Sequence, residues 1–221
     1  DRISRAEQDA FALMSHQRAV AAQDRGDFNA EIIPVSVGGR SVTADEGPRR
    51  DTSLERLGKL RTVFNETGSV TAGNASMVSD GAAALLVASS TAAASAGVRP
   101  LARVLAFATV GGPPADLFIA PAAAVRKAVK KAGLALSDID LFEINEAFAV
   151  QVLACLRRLE LTADRVNVNG GAIAIGHPLG ASGARVAVTL LYAMQQHQAR
   201  YGVAALCLGG GNAIAAVFER L

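Results

Sequence analysis

Three stretches of this sequence carry residue types that suit chemistry better than packing. The first is Asn145-Glu146-Ala147-Phe148-Ala149, placed where an apolar strand gives way to a helix. α/β folds commonly gather active groups at such strand ends. A helix cap is the competing reading, with Asn145 as the N-cap and Glu146 favoured by the positive helix end. The second is the glycine-rich run from Asn167 to Arg185, which holds His177 between Gly176 and Pro178. Its spacing of Gly176, Gly180 and Gly183 is not G-x-G-x-x-G, and no G-x-x-x-x-G-K-[ST] occurs, so neither nucleotide fingerprint is met. An imidazole in a glycine-rich turn, where ligand can approach closely, suits acid–base work near neutral pH. The third is Cys207-Leu208-Gly209-Gly210-Gly211-Asn212. A thiol at the end of a strand, followed by three glycines, reads as an exposed group with backbone N–H donors beside it, a possible oxyanion site.

The other cysteine, Cys155, falls mid-helix between Val152 and Leu156 and reads as core. His16 and His197 lie in polar helical stretches and read as solvated. No His/Cys/Asp/Glu cluster has metal-ligand spacing, so no metal is expected.

The elements that must position these groups are legible in outline. Residues 3–25 form a helix opened by Ser4 and Glu7, a capping-box pair, and closed by Gly26. Ile32, Ile33, Val35 and Val37 read as a strand, and residues 40–75 as a loop-rich region with a helical signal over 53–60. An Ala-rich passage suggests a buried strand at 82–88 and a small-residue helix at 90–96. A weak echo between Asp80-Gly-Ala-Ala-Ala-Leu-Leu-Val87 and Asn212-Ala-Ile-Ala-Ala-Val-Phe218 hints at two related halves. Then follow a strand at 103–109, a helix at 121–131, a strand at 141–144, a helix at 147–159, a helix at 182–198, and a hairpin of 203–208 with 213–218. Helices alternating with apolar strands give an α/β layered domain.

Composition narrows the function classes. Lys and Arg total 22 against 20 Asp and Glu, a net charge of +2, and aromatic residues make up only 5%. No basic stripe interleaved with aromatics is present, so nucleic acid is not an expected partner. Two cysteines are too few for a disulfide scaffold and point to a reducing compartment, taken here as the cytoplasm. The uncharged runs are broken by Ser/Thr or Gly-Gly-Gly, so no membrane span is expected. The chain opens Asp-Arg-Ile without an initiator Met or a signal peptide, which suggests a piece of a longer protein.

Taken together and in this order, the segments resemble the thiolases, the acetyl-CoA acetyltransferases and 3-ketoacyl-CoA thiolases. The resemblance runs over residues 1–221 and includes Ser4-Arg-Ala-Glu-Gln-Asp-Ala-Phe11, Val70-Thr-Ala-Gly-Asn-Ala-Ser76, Asp80-Gly-Ala, Asn145-Glu-Ala-Phe-Ala149, the 170–183 loop and Cys207-Leu-Gly-Gly-Gly211. It implies an α-β-α-β-α sandwich of two similar halves with a loop domain that holds coenzyme A. Residues 1–77 would be the second part of that loop domain, 78–100 the end of the N-terminal half, and 101–221 a complete C-terminal half.

The resemblance further implies acyl transfer between thioesters, by Claisen condensation of acetyl-CoA or thiolysis of 3-ketoacyl-CoA, with CoA thioesters as substrate and no separate cofactor. The nucleophilic cysteine of such enzymes would lie upstream of this chain, which alone is expected to be inactive. His177 would activate that thiol, Asn145 would hold a water in the same oxyanion site, Cys207 would move the α-proton, and the Gly209 N–H would serve a second oxyanion site. Ser76 and Arg49 match positions that touch the pantetheine and adenine ends of CoA, while Ala147 and Phe148 line the pocket. Leu117-Phe118-Ile119-Ala120-Pro121 replaces a common Met-Gly-x-Gly-Pro, so Leu117 bears on acyl-chain preference. Asn212-Ala213 follows the triple glycine, and Met77 follows Ser76 where Gly is common. A homodimer or homotetramer in fatty acid metabolism is the implied setting. Two other readings stand beside this one: a non-catalytic CoA-binding subunit, and a ketosynthase, which Cys207 argues against.

Overall fold

In the computed structural model, which describes residues 2–221, one mixed sheet organises the second half of the chain. Helix α1 (Arg5–Arg25) comes first, and its sequence signals are realised. The Ser4 side chain accepts from the Glu7 N–H, Glu7 accepts from the Ser4 N–H at 2.7 Å, and Gly26 closes the helix at φ 76°. Its inner face is unusual, because Gln8, Asp9, Ser15 and His16 are buried alongside Phe11, Ala12 and Ala19. Those polar groups dock the helix through hydrogen bonds instead of apolar contact alone.

A two-stranded hairpin follows, β1 (Val35–Val37) with β2 (Arg40–Val42), and all six residues are exposed. Ile32 and Ile33 lie outside it, in irregular chain after a turn, so the expected strand is shorter than its apolar residues suggest. Helix α2 (Leu54–Gly58) realises the 53–60 signal, with Ser53 accepting from the Arg56 N–H. The expected strand at 82–88 does not form. That stretch pairs with no strand among the described residues, and Leu86 is 91% exposed. A strand needs a partner for its backbone N–H and C=O groups. Apolar content alone does not supply one. Helix α3 (Ser90–Ser95), capped by Ser89, lies beyond it and buries none of its residues.

The sheet itself runs in the order β3-β6-β5-β4, from β3 (Ala102–Gly111), helix α4 (Ala120–Lys131), β4 (Leu141–Ile144), helix α5 (Ala149–Leu159), the one-turn α6 (Ala172–Ile175), helix α7 (Ser182–Gln196), β5 (Tyr201–Leu208) and β6 (Asn212–Arg220). The closing hairpin is as expected, with Cys207 opposite Ala213 and Leu208 opposite Asn212. β4 and β5 are parallel, with Ile144 opposite Ala205. Helices α4 and α5 form a core on one face, where Val125, Val129, Val152 and Cys155 meet Ala205 and Val217. Helix α7 covers the other, where Val186, Leu190 and Met194 meet Ala204 and Leu206. Helix α1 lies outside α5 and α6. The expected helix from residue 147 begins at Ala149, with Phe148 as its N-cap, so neither Asn145 nor Glu146 caps it. Among the described residues, no helix is long and apolar enough to cross a membrane.

Candidate active site

The parallel pairing of β4 and β5 brings the expected groups to one end of the sheet. Asn145 follows the last residue of β4, and its N–H donates to the Ala205 carbonyl of β5 at 2.9 Å. Cys207 lies two residues further along the same strand. The register alone therefore holds the Asn145 and Cys207 backbones at neighbouring strand ends. The Gly209–Gly211 turn then reverses the chain, with Gly210 and Gly211 at φ 77° and 90°. Gly211 is packed so closely that an added Cβ would come 2.9 Å from the Pro113 carbonyl.

His177 reaches this edge from the glycine-rich loop. Its Nε2 lies 3.2 Å from Asn145 Nδ2, and its Nδ1 lies 2.5 Å from Ser182 Oγ. On the other side of the amide, Arg185 Nη2 donates to Asn145 Oδ1 at 3.3 Å. The His177 N–H donates to the Met77 carbonyl at 3.3 Å, which ties the loop to the 70–77 segment. His177 is half-buried, and burial, with the Arg185 guanidinium nearby, pulls its pKa below the usual value. Both effects favour the neutral ring.

Ser76 is held close by. Its N–H donates to the Ala147 carbonyl at 3.0 Å, while the Asn74 carbonyl accepts from the Ala149 N–H at 2.9 Å. The Asn74 side chain donates to Asp9 of α1 and accepts from the Thr71 N–H at 2.9 and 2.8 Å. The Val70–Ser76 motif is thus pinned between α1 and the start of α5. Phe148 forms edge-on contacts with Phe118 and Phe64, at centroid distances of 5.2 and 5.9 Å. Ala147 is buried behind them, and Leu117 is half-buried beside Phe118. Phe118, not Leu117, makes the ring contact with Phe148.

Two expectations are corrected. Cys207 is half-buried, not freely exposed, and burial raises its pKa instead of lowering it toward neutrality. No cation contributes to a thiolate there. His16 is buried, not solvated: its Nδ1 accepts from the Arg49 N–H at 3.2 Å, and burial drives its pKa down to about 4. Arg49 itself lies apart from the polar cluster. Its side chain lines an open cleft of about 220 Å³ against α1, with Gln17, Val20 and Asp24. Cys155 is fully buried, as expected, with its pKa raised to about 11. His197 is exposed. No group of His, Cys, Asp and Glu able to hold a metal occurs among the described residues.

The sequence reading missed the carboxylate that binds these parts together. Glu146 is buried and accepts from Ser15 Oγ at 2.7 Å, Asn167 Nδ2 at 2.8 Å and the Ile173 N–H at 3.1 Å. Asn167 in turn pairs with the Ile144 backbone, accepting at 2.8 Å and donating at 2.9 Å. Ser182, Arg185, Phe64 and Phe118 were likewise missed. Ser182 and Arg185 stand in the same glycine-rich run as His177, and a polar side chain five residues after a functional imidazole was a usable signal. Nothing in the sequence marks Phe64.

Comparisons with known proteins bear on the family and the fold. Residues 98–220 match the model of the thiolase C-terminal domain, and residues 1–91 match that of the thiolase N-terminal domain. The acetyl-CoA acetyltransferase of Escherichia coli (strain K12) is 52% identical over 223 aligned residues, covering 99% of this chain and 57% of that protein. A probable acetyl-CoA acyltransferase of Staphylococcus aureus (strain MRSA252) is also 52% identical, over 99% of this chain and 56% of that protein. Among solved structures, the Bacillus anthracis acetyl-CoA acetyltransferase superposes with a TM-score of 0.96 at 42% identity, covering 99% of this chain and 57% of that one. Human mitochondrial 3-ketoacyl-CoA thiolase in complex with CoA gives 0.93 at 43% identity, over 100% of this chain and 56% of that one. The chain thus spans little more than half the length of the relatives it matches.

Proposed function

The chain belongs to the thiolase family, and on that premise we propose that it forms the C-terminal portion of an acyl-CoA acyltransferase. The observation that carries the reading is the convergence of Asn145 and His177, side chains 3.2 Å apart, at the sheet end where β5 delivers Cys207. In this reading the nucleophilic thiol comes from an upstream thiolase segment. Its proton passes to His177 Nε2, its sulfur bonds the thioester carbonyl carbon, and the bond from that carbon to the departing group breaks, the departed group then taking the Cys207 proton. In the condensation direction, the Cys207 thiolate then takes the α-proton of acetyl-CoA, and the resulting carbanion bonds the acyl carbon as the enzyme sulfur leaves. Thiolysis runs these steps in reverse. The carbonyl oxygen carries negative charge at each stage. A water held by Asn145 with His177, and the Gly209 N–H, are the donors aimed at it, and one such donor is typically worth a few kcal/mol.

Acetyl-CoA or a 3-ketoacyl-CoA is the substrate class. Ser76, Ala147 and Phe148 border the route to the polar cluster, and the Phe64–Phe118–Phe148 group gives the acyl chain an apolar wall. Arg49 is assigned to the adenine end, consistent with its position away from the reacting centre. The two free cysteines suit a reducing, cytoplasmic setting. A homodimer or homotetramer serving fatty acid metabolism completes the proposal.

Burial raises the Cys207 pKa, which favours the thiol that gives its proton to the departed group. Cys207→Ala in the complete enzyme is expected to abolish deuterium exchange into acetyl-CoA while acylation of the upstream cysteine survives. Unchanged exchange overturns the assignment.

A further inference from the structure

Beside the Asn145–His177 pair stands a charged side chain, Arg185, that the acyl-transfer steps do not use. Arg185, from the first turns of α7, faces the carboxyls of Glu31, Asp45, Glu143 and Glu146 electrostatically. Yet among the described residues it forms no ion pair, and its Nε and Nη1 are buried without a hydrogen-bond partner. Its one hydrogen bond is from Nη2 to Asn145 Oδ1. A buried guanidinium with diffuse acidic compensation and one directed contact is poorly explained as a structural ion pair.

We propose that Arg185 is a positioning residue that fixes the Asn145 amide, and through it the tautomer of His177. A guanidinium only donates, so the Asn145 oxygen must be the atom that faces it. The Asn145 NH₂ then points at His177 Nε2, which has to accept and so carries a lone pair. In a neutral imidazole the proton is left on Nδ1, which donates to Ser182 Oγ, and the Ser182 hydroxyl donates onward to the Pro178 carbonyl at 2.9 Å. The relay has one consistent direction, from Arg185 through Asn145 and His177 to Ser182. It leaves the basic nitrogen on the side of the ring that the proposed reaction uses. The inference therefore rests on the reading of His177 as the group that accepts the nucleophile's proton.

The test is nitrogen-15 NMR on the full chain with labelled histidine, where long-range couplings report which ring nitrogen bears the proton. His177 is assigned by its loss in His177→Gln. The native chain is expected to show the Nδ1–H form. Arg185→Met removes the donor, lets the amide rotate, and is expected to lower the ratio of Nδ1–H to Nε2–H by about fivefold, the worth of one net hydrogen bond. Arg185→Lys, which keeps a donor, is expected to restore most of it. Should Arg185→Met fail to fold, Arg185→Met with Glu143→Gln also removes the titratable carboxyl left without its guanidinium neighbour and gives the same readout. An Nε2–H form in the native chain, or an unchanged ratio in a folded Arg185→Met or in the double variant, overturns the inference. In the complete enzyme Arg185→Met is expected to lower kcat and leave KM near its native value. If the ratio moves and kcat does not, the positioning stands and the failure belongs to the proposed role of His177.

Discussion

Gly171 shows how closely the residues around the site are fitted. An added Cβ there would come 2.5 and 2.6 Å from the two Glu146 carboxyl oxygens. That carboxyl cannot swing aside, because Ser15, Asn167 and the Ile173 N–H all hold it. Gly171→Ala is expected to cost about 2–4 kcal/mol, read as a shift of the denaturant midpoint, because it forces apart a satisfied buried network. Ser15→Ala leaves one carboxyl oxygen and the Gly171 N–H short of a partner and is expected to cost about 1–3 kcal/mol in the same assay. At Asn145 the expected effect is kinetic. Asn145→Ala in the complete enzyme is expected to reduce kcat at least about a hundredfold with little change in CoA affinity, as for loss of a donor used at the transition state. A change confined to affinity would rule out that role. These residues were unequally legible beforehand. Asn145, His177 and Cys207 announced themselves by type and setting, whereas Glu146 passed for a helix-end preference, because its partners lie 131, 21 and 27 residues away.

Among elements, α1 does more than cover the core. Arg18 donates to the carbonyls of Val166 and Ala163 at 2.7 and 2.9 Å, Ser15 reaches Glu146, and Asp9 holds Asn74. One helix thereby fixes both the 163–171 turn and the 70–76 segment that flank the polar cluster. Arg18→Ala is expected to raise amide hydrogen exchange over 163–171 before global unfolding, with β5 and β6 unaffected, since the three carbonyls lose a common clamp. The cap and glycine stop of α1 were legible in the sequence, but its docking was not. Period alone marks an apolar stripe, and here the inner face includes Gln8, Asp9, Ser15 and His16. Strand 82–88 failed for the converse reason. Its residues have the right character, but a ladder partner is a property of the fold around it, not of the stretch itself.

Over the whole molecule, the buried ionisable groups set an unusual pH response. Burial raises Glu143 to about 8 and Glu31 to about 7, against ordinary values of 4.5. A carboxyl whose folded pKa is raised stays protonated in the native state while the unfolded chain ionises. Its contribution is fully present below pH 4.5 and is lost as pH rises toward 7 and 8. His16, held down to about 4, acts oppositely and costs stability as pH falls from 6.5. His177, also held below its ordinary value, adds to that opposition, but between pH 5 and 6 the raised carboxyls, Glu146 and Asp45 included, outnumber the two imidazoles. Unfolding free energy is therefore expected to fall with rising pH, each carboxyl contributing a slope of about 1.4 kcal/mol per unit. Thermal melts from pH 5 to 8 test this, and Glu143→Gln is expected to flatten the decline. An equally steep decline in that variant would exclude Glu143 as a source.

The β4–β5 ladder has a consequence for how such a molecule can diversify. Asn145 and Cys207 are spaced by backbone bonds in the sheet, whereas Phe64 and Phe118 arrive on surface connections that the sheet does not restrain. The aromatic wall can drift through those connections while the spacing of Asn145 and Cys207 is kept. What lines the site and what holds it together are, in this architecture, inherited separately.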